Sequence, residues 1–134
     1  MKVVTAAIIL HNDQILIAQR KRGERLASKW EFPGGKLEEG ETPEECLRRE
    51  INEELKINIT INKYFGESIY HYHHGAIRLL AYLSDWEEGE ITPTVHSQVK
   101  WVTPEELTNY DFSPADIPIV KKLCKNFTWI LNDR

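Results

Sequence analysis

Gly35-Lys36-Leu37-Glu38-Glu39-Gly40-Glu41, followed by Arg49-Glu50-Ile51-Asn52-Glu53-Glu54-Leu55-Lys56-Ile57, is the stretch that decides how this chain is read. Between the two halves stands Thr42-Pro43-Glu44-Glu45, a capping box with proline at the first helical position. It predicts a helix that starts there and runs to about Lys56. At about 100° per residue, Glu50, Glu53 and Glu54 project within about 100° of one another. Like charges at this spacing weaken a helix by about 0.2–0.5 kcal/mol per pair, so a divalent cation is the natural compensation. Leu47, Ile51 and Leu55 form an i, i+4, i+8 apolar stripe that packs the helix down while the acid face stays open. Taken alone, three glutamates read as a solvated helix face. The glycine-rich turn in front of them shifts the reading to a metal-bearing helix of an active site.

The rest of the chain sets the frame. With 134 residues it can bury a core without staples, and a single domain spanning 1–134 is expected. A formal charge of -4 carries no electrostatic footprint for a nucleic-acid polymer, so any nucleotide bound here is small and held through metal. Cys46 and Cys124 are too few for a disulfide framework, and neither a signal peptide nor an apolar 18-mer is visible. The expectation is a soluble cytoplasmic protein with no membrane partner. Asn58-Ile59-Thr60 and Asn126-Phe127-Thr128 match the glycosylation acceptor pattern, which has no meaning without a secretory signal.

Val3 to Leu10 is a nearly continuous apolar run, as in a buried central strand, and His11-Asn12-Asp13-Gln14 turns it into a second strand over Ile15 to Arg20. Residues 21–30 are charged and read as a loop. Further strands are expected at Ile59–Phe65, Ser68–His73, Ala76–Ser84 and Val99–Val102. Thr103-Pro104-Glu105-Glu106 repeats the helix-start punctuation and predicts a short helix, and a last helix covers about Pro118–Lys125. The tail 126–134, with Phe127, Trp129, Ile130 and Leu131, most simply covers the core, with a dimer contact as the alternative. A monomer and a homodimer both fit. On pattern alone this is an α/β chain, a mixed sheet with two or three helices.

Gly35, Glu41, Arg49, Glu50, Ile51, Glu53, Glu54 and Ile57 together resemble the Nudix box of pyrophosphohydrolases, G-x5-E-x7-R-E-U-x-E-E-x-G-U with U aliphatic. Lys56 stands in place of the second glycine, which ends the helix in a left-handed conformation at a cost of about 1–2 kcal/mol to any other residue, so a local adjustment is expected. The resemblance implies the Nudix α/β/α sandwich. Lys29-Trp30-Glu31-Phe32-Pro33-Gly34-Gly35-Lys36, Trp101-Val102 and Phe112-Ser113-Pro114-Ala115-Asp116 look like the MutT-type subgroup, which hydrolyses nucleoside triphosphates to monophosphate and pyrophosphate and guards the nucleotide pool.

What the resemblance implies for single residues follows from the chemistry. Phosphoanhydride hydrolysis needs charge neutralised and a water positioned and activated, which carboxylate-held Mg²⁺ can do in one place; Mn²⁺ is the alternative. Glu50, Glu53 and Glu54 offer the hard oxygens such an ion prefers, the carbonyl of Gly34 completes its shell by resemblance, and Arg49 orients a neighbouring glutamate. Glu50 is the preferred general base, with Glu53 its rival on the same face. Gly34-Gly35 lets the main chain approach metal or phosphate, and Lys36 is placed to contact phosphate. The positions matching the nucleotide site are Arg20, Arg25, Glu31, Phe32, Pro33, Gly34, Lys36 and Asp116, with Phe32 read equally as a base-stacking ring and as core.

Two positions depart from the subgroup. The guanine-oxidation branch carries asparagine where this chain has Asp116, and Ala115-Asp116-Ile117-Pro118 looks instead like the CTP pyrophosphohydrolase branch. An ionised carboxylate only accepts, which suits the amine of cytosine and equally the N1–H and amine of guanine. Ser113-Pro114-Ala115-Asp116 also fits a helix-capping box. The second departure is Val95, where many members place a metal-site glutamate; His96, Gln98 or Glu87-Glu88-Gly89-Glu90 could substitute. His71, His73 and His74 raise zinc as an idea, but no cysteine or carboxylate is spaced to join them, so cross-strand packing is expected. The functional expectation is a Mg²⁺-dependent hydrolase of nucleoside triphosphates such as 8-oxo-dGTP, CTP or modified dCTP. Hydrolysis of a dinucleotide polyphosphate or nucleotide sugar, and a non-catalytic binding module, are the alternatives.

Overall fold

Strand β1 (Lys2–His11) turns Ala6, Ile8 and Leu10 to one side of the sheet and Ala7 and Ile9 to the other, and all five are buried. That double burial is why its sequence is a continuous apolar run and not an alternation. The structure, a computed structural model, describes residues 1–132. Asn12 and Asp13 both take positive φ, 50° and 63°, and fold β1 into β2 (Gln14–Arg20) by the tight turn the sequence indicates. Two very short strands follow, β3 (Trp30–Glu31) against β2 and β4 (Gly34–Lys36) against the first half of β1. After helix α1 (Pro43–Leu55), β5 (Asn58–Tyr72) and β6 (Gly75–Glu88) form a long hairpin whose second strand runs parallel to β1. β7 (His96–Val102) pairs with β2, giving a mixed sheet of order β3-β2-β1-β6-β5 with β4 and β7 attached to β1 and β2.

Each face of the sheet carries its own core. Leu47, Ile51 and Leu55 of α1 are fully buried against Ala7, Ile9, Leu16, Ile57 and Leu80, as the apolar stripe requires. On the other side, a 3₁₀ helix over Pro104–Asn109 and helix α2 (Ile117–Asn132) pack Leu107, Ile119, Val120, Leu123 and Ile130 against Ile8, Ile15 and Phe65. The expected α/β/α sandwich is what the chain forms, and among the described residues no helix is long and apolar enough to cross a membrane.

Three local expectations change. Ile59–Phe65 and Ser68–His73 are one strand, because Gly66 does not break the ladder; register shifts near Asn58, Ile61 and Tyr64 bend it instead. The loop over 21–30 ends one residue early, since Trp30 pairs with Gln19. The short helix expected after Thr103 forms, as a 3₁₀ helix. Helix α2 continues past Lys125 to Asn132, so much of the expected tail is helix. Ile130 covers the core as anticipated, whereas the side chains of Trp129 and Leu131 lie outside the described residues.

Lys56 does what the box glycine would do. It sits at φ 61°, ψ 30°, and its N–H donates to the Asn52 carbonyl at 3.0 Å. The adjustment is therefore left-handed strain accepted in full. The neighbouring carbonyls are capped from outside: Thr92 N–H donates to Leu55 O, and Thr94 donates from both N–H and Oγ1 to Glu54 O, at 2.8–3.0 Å. Lys56→Gly should raise stability by about 1 kcal/mol and the melting temperature by about 3–5 °C, because glycine takes this conformation without steric cost. A thermal melt of the variant at or below wild type would show that Lys56 is not strained.

Candidate active site

A cleft of about 380 Å³ opens along the edge of β1 and β4. Arg20, Arg25, Glu31, Phe32, Gly34, Lys36 and Asp116 all line it, as does Glu54. Seven of the eight positions expected at a nucleotide site are thus brought together. Pro33 is the exception: it is buried, and its contribution is a carbonyl that accepts from Ala7 N–H at 2.8 Å. The two glycines are there because β4 has no room for side chains. A methyl at Gly34 would overlap the Thr5 carbonyl, and one at Gly35 would overlap the Glu50 carboxyl.

The acid face of α1 is organised by one cation. Arg49 donates through Nε and Nη2 to both oxygens of Glu41 (3.1 and 2.7 Å) and through Nη1 to Glu50 Oε1 (3.0 Å) and Glu53 Oε1 (3.1 Å). Its hydrogen bonds hold the Glu41 carboxyl down at about 2. Glu41, the box residue that precedes the helix, is therefore the anchor of Arg49, and Arg49 in turn fixes Glu50 and Glu53. Glu50 lies against Gly35, and burial pushes its carboxyl above the ordinary range.

Glu54 behaves differently. It turns into the cleft, its Oε1 is buried with no hydrogen-bond partner, and burial together with the charges of Glu50 and Glu31 pushes its carboxyl up to about 8. A carboxylate with one buried oxygen unpartnered, crowded by others of the same sign, is what a hard divalent cation relieves. Gly34 adjoins it, its N–H bonded to the Glu54 carboxyl, and with the Gly34 carbonyl that the resemblance adds, the donors are all oxygens of the kind Mg²⁺ takes. In the arrangement observed, among the described residues, no three His, Cys, Asp or Glu side chains stand close enough to hold an ion. Arg49 holds Glu50 and Glu53 on one side while Glu54 faces the cleft, so the donor set fits an ion after side-chain rotation.

At the far wall, Asp116 is 6% exposed and its Oδ1 accepts from Phe32 N–H at 3.1 Å. Its other oxygen makes no hydrogen bond within the described residues. Burial, reinforced by the charge of Glu31, holds the carboxyl well above its ordinary range, so Asp116 keeps its proton to a higher pH than a surface aspartate. Below that raised pKa it can donate as well as accept. In the ionised form it is the acceptor that residue type alone indicates. The capping-box alternative fails, since Ser113 Oγ is buried and unpartnered. The Phe32 ring, 3% exposed and packed on Phe112 at 5.3 Å, is a core side chain bordering the cleft, with no free face to stack on a base.

Sequence reasoning missed Tyr72 and His74, which stack on each other at 5.0 Å at the β5–β6 turn and line the cleft; the Tyr72 hydroxyl also accepts from Ala115 N–H at 3.0 Å. Only knowledge of where that turn lands could have found them. Of the residues named as substitutes at Val95, Glu87 and Glu88 are engaged by Thr60 and Asn58 of β5, and Gln98 donates to Gln19. His96 does not line the cleft but bonds to Glu31, which does.

The NUDIX domain family matches residues 1–123, and the chain belongs to it. It is a Nudix hydrolase. The CTP pyrophosphohydrolase of Escherichia coli K12 is 36% identical over 118 residues, covering 88% of this chain and 87% of that one. The 8-oxo-dGTP diphosphatase of the same organism is 33% identical over 123 residues, covering 92% and 95%. Among solved structures, that of the E. coli ORF135 protein superposes with a TM-score of 0.82 at 34% identity, covering 94% of this chain and 90% of that one.

Proposed function

We propose that this protein hydrolyses (deoxy)nucleoside triphosphates, oxidised or modified ones among them, to monophosphate and pyrophosphate, with Mg²⁺ or Mn²⁺ as cofactor. The observation that carries this reading is one cleft shared by Asp116, a buried polar contact, and Glu54, a carboxyl with an unpartnered buried oxygen suited to a cation. A cleft of about 380 Å³ is in the range that encloses a small ligand. The relatives' names, a CTP pyrophosphohydrolase and an 8-oxo-dGTP diphosphatase, point to the substrates: CTP, modified dCTP and 8-oxo-dGTP.

Glu50, Glu53, Glu54 and the Gly34 carbonyl would hold the ion, which when bound neutralises phosphate charge and polarises the scissile linkage. Glu50 accepts a proton from the attacking water; Arg49 sets its orientation and that of Glu53. Lys36, Arg25 and Arg20 border the cleft as the cations that offset the triphosphate's charge. Asp116 reads the base edge, while Phe32 holds Asp116 in place through its N–H. The test is a panel of canonical, oxidised and methylated triphosphates with pyrophosphate detection, each with Mg²⁺ and with EDTA. Mg²⁺-dependent pyrophosphate release from CTP, modified dCTP or 8-oxo-dGTP supports the reading, and release of orthophosphate alone, or no turnover on any of them, overturns it.

A further inference from the structure

Val95 is 42% exposed and brings no charge to the site, yet the next residue is deeply buried: the His96 side chain is 3% exposed. Its Nε2 lies 2.9 Å from Glu31 Oε2. An ionised carboxylate only accepts, so the imidazole carries its proton on Nε2 and donates. The other oxygen of Glu31 accepts from Arg20 Nη1 at 3.0 Å, and Arg20 Nε donates to the Arg25 carbonyl at 2.8 Å. Three strands each contribute one residue: Arg20 opposes His96 across β2 and β7, at a register shift after Gln19, and Glu31 stands opposite Ala18 in β3.

Position separates their roles. Arg20, Glu31 and Glu54 line both the main cleft and a smaller pocket of about 230 Å³, whereas His96 lines only the smaller one. His96 therefore does not border the nucleotide cleft. Glu31 borders it with both oxygens already engaged, so its carboxylate is committed to Arg20 and His96. Arg20 alone keeps a donor, Nη2, that makes no hydrogen bond within the described residues.

We propose that His96 is a positioning residue for the nucleotide site: it locks Glu31, and Glu31 with the Arg25 carbonyl locks Arg20 so that Nη2 meets an acceptor oxygen on the nucleotide. Without His96 the Glu31 carboxylate is held at one oxygen only and can rotate, carrying the guanidinium with it. The role rests on the triphosphate reading above.

The experiment measures kcat and KM on the best triphosphate of the panel, and calorimetric binding of its monophosphate product in EDTA. Wild type, His96→Leu, His96→Gln, Arg20→Met and the Arg20→Met/His96→Leu double variant are compared. His96→Leu should raise KM and weaken monophosphate binding about 10-fold, the worth of a hydrogen bond to a charged group, while kcat changes by less than about threefold. His96→Gln, which keeps an N–H for Glu31, should recover most of the loss. In the Arg20→Met background His96→Leu should add nothing, because its effect runs through Arg20. Unchanged monophosphate binding in His96→Leu, equal losses in the Leu and Gln variants, or additive losses in the double variant would each overturn the proposal. Should His96→Leu not fold, Glu31→Gln in the same cycle carries the test with the same outcomes. If the wild type hydrolyses no triphosphate, the functional reading fails, while the mononucleotide-binding cycle still decides the role of His96.

Discussion

Glu54→Gln lowers turnover on nucleoside triphosphates by about 10²-fold or more, and Glu53→Gln and Glu50→Gln do likewise, with the fold intact. The substitution preserves shape and removes one charged oxygen from a set that supplies several kcal/mol of charge stabilisation to phosphoryl chemistry, each 1.4 kcal/mol being about tenfold in rate. The three variants differ in how they fail. Glu54 has a buried Oε1 with no hydrogen-bond partner, and its one backbone partner, Gly34 N–H, can still donate to the carbonyl of a glutamine, so its glutamine variant should melt no lower than wild type. Glu50 and Glu53 both accept from Arg49, so their variants also loosen the Arg49 hub. Only the residue acting as general base should take the acidic limb of the pH–rate profile with it, since a base must be deprotonated to accept from water. Rates of the Gln variants at wild-type level in Mg²⁺ would sink the acid-face argument, and an acidic limb surviving in Glu50→Gln moves the base to Glu53.

The layers and the helix were legible because they rest on repeated, local signals. The Leu47, Ile51 and Leu55 stripe, the Thr42 capping box and the double-sided apolar run of β1 each specify an element without reference to anything distant. β3 and β4 were not legible, as two- and three-residue strands are too short to show a period and exist only because β1 and β2 hold them. The site divides in the same way. Glu50, Glu53, Glu54 and Arg49 follow from spacing within one helix, and the Nudix resemblance added the cleft residues by position. What no local pattern could show is how partners far apart in the chain use them. Examples are Phe32 N–H on Asp116, Tyr72 under Ala115, and His96 on Glu31, contacts spanning 84, 43 and 65 positions. Asp116 illustrates the consequence: residue type indicates an ordinary carboxyl, whereas burial beside Glu31 raises its pKa.

Asp116→Ala should lose about 10–150-fold in kcat/KM on the preferred triphosphate, because a polar group on the base is left unpaired in a buried site. Stability should fall too, since Phe32 N–H loses its acceptor inside the core, at a cost of about 1–3 kcal/mol. Asp116→Asn separates these effects. Its carbonyl can keep the Phe32 N–H bond while the amide presents a fixed donor to the cleft, so the fold should hold and the ranking of CTP, modified dCTP and 8-oxo-dGTP should change. The sign of the pH dependence follows from the raised pKa. The folded protein retains a proton that the unfolded chain loses near the ordinary value of 3.8, so wild-type stability declines as pH rises from there to the folded pKa. Asparagine does not titrate, so the variant's stability relative to wild type should grow across that window. The same titration converts the cleft-facing oxygen from donor to acceptor, and wild type at the acidic end should rank bases as Asp116→Asn does throughout. Melting curves and kcat/KM on three triphosphates at several pH values test both statements. If Asp116→Asn keeps the wild-type ranking at every pH, the carboxyl does not read the base and serves only to hold Phe32.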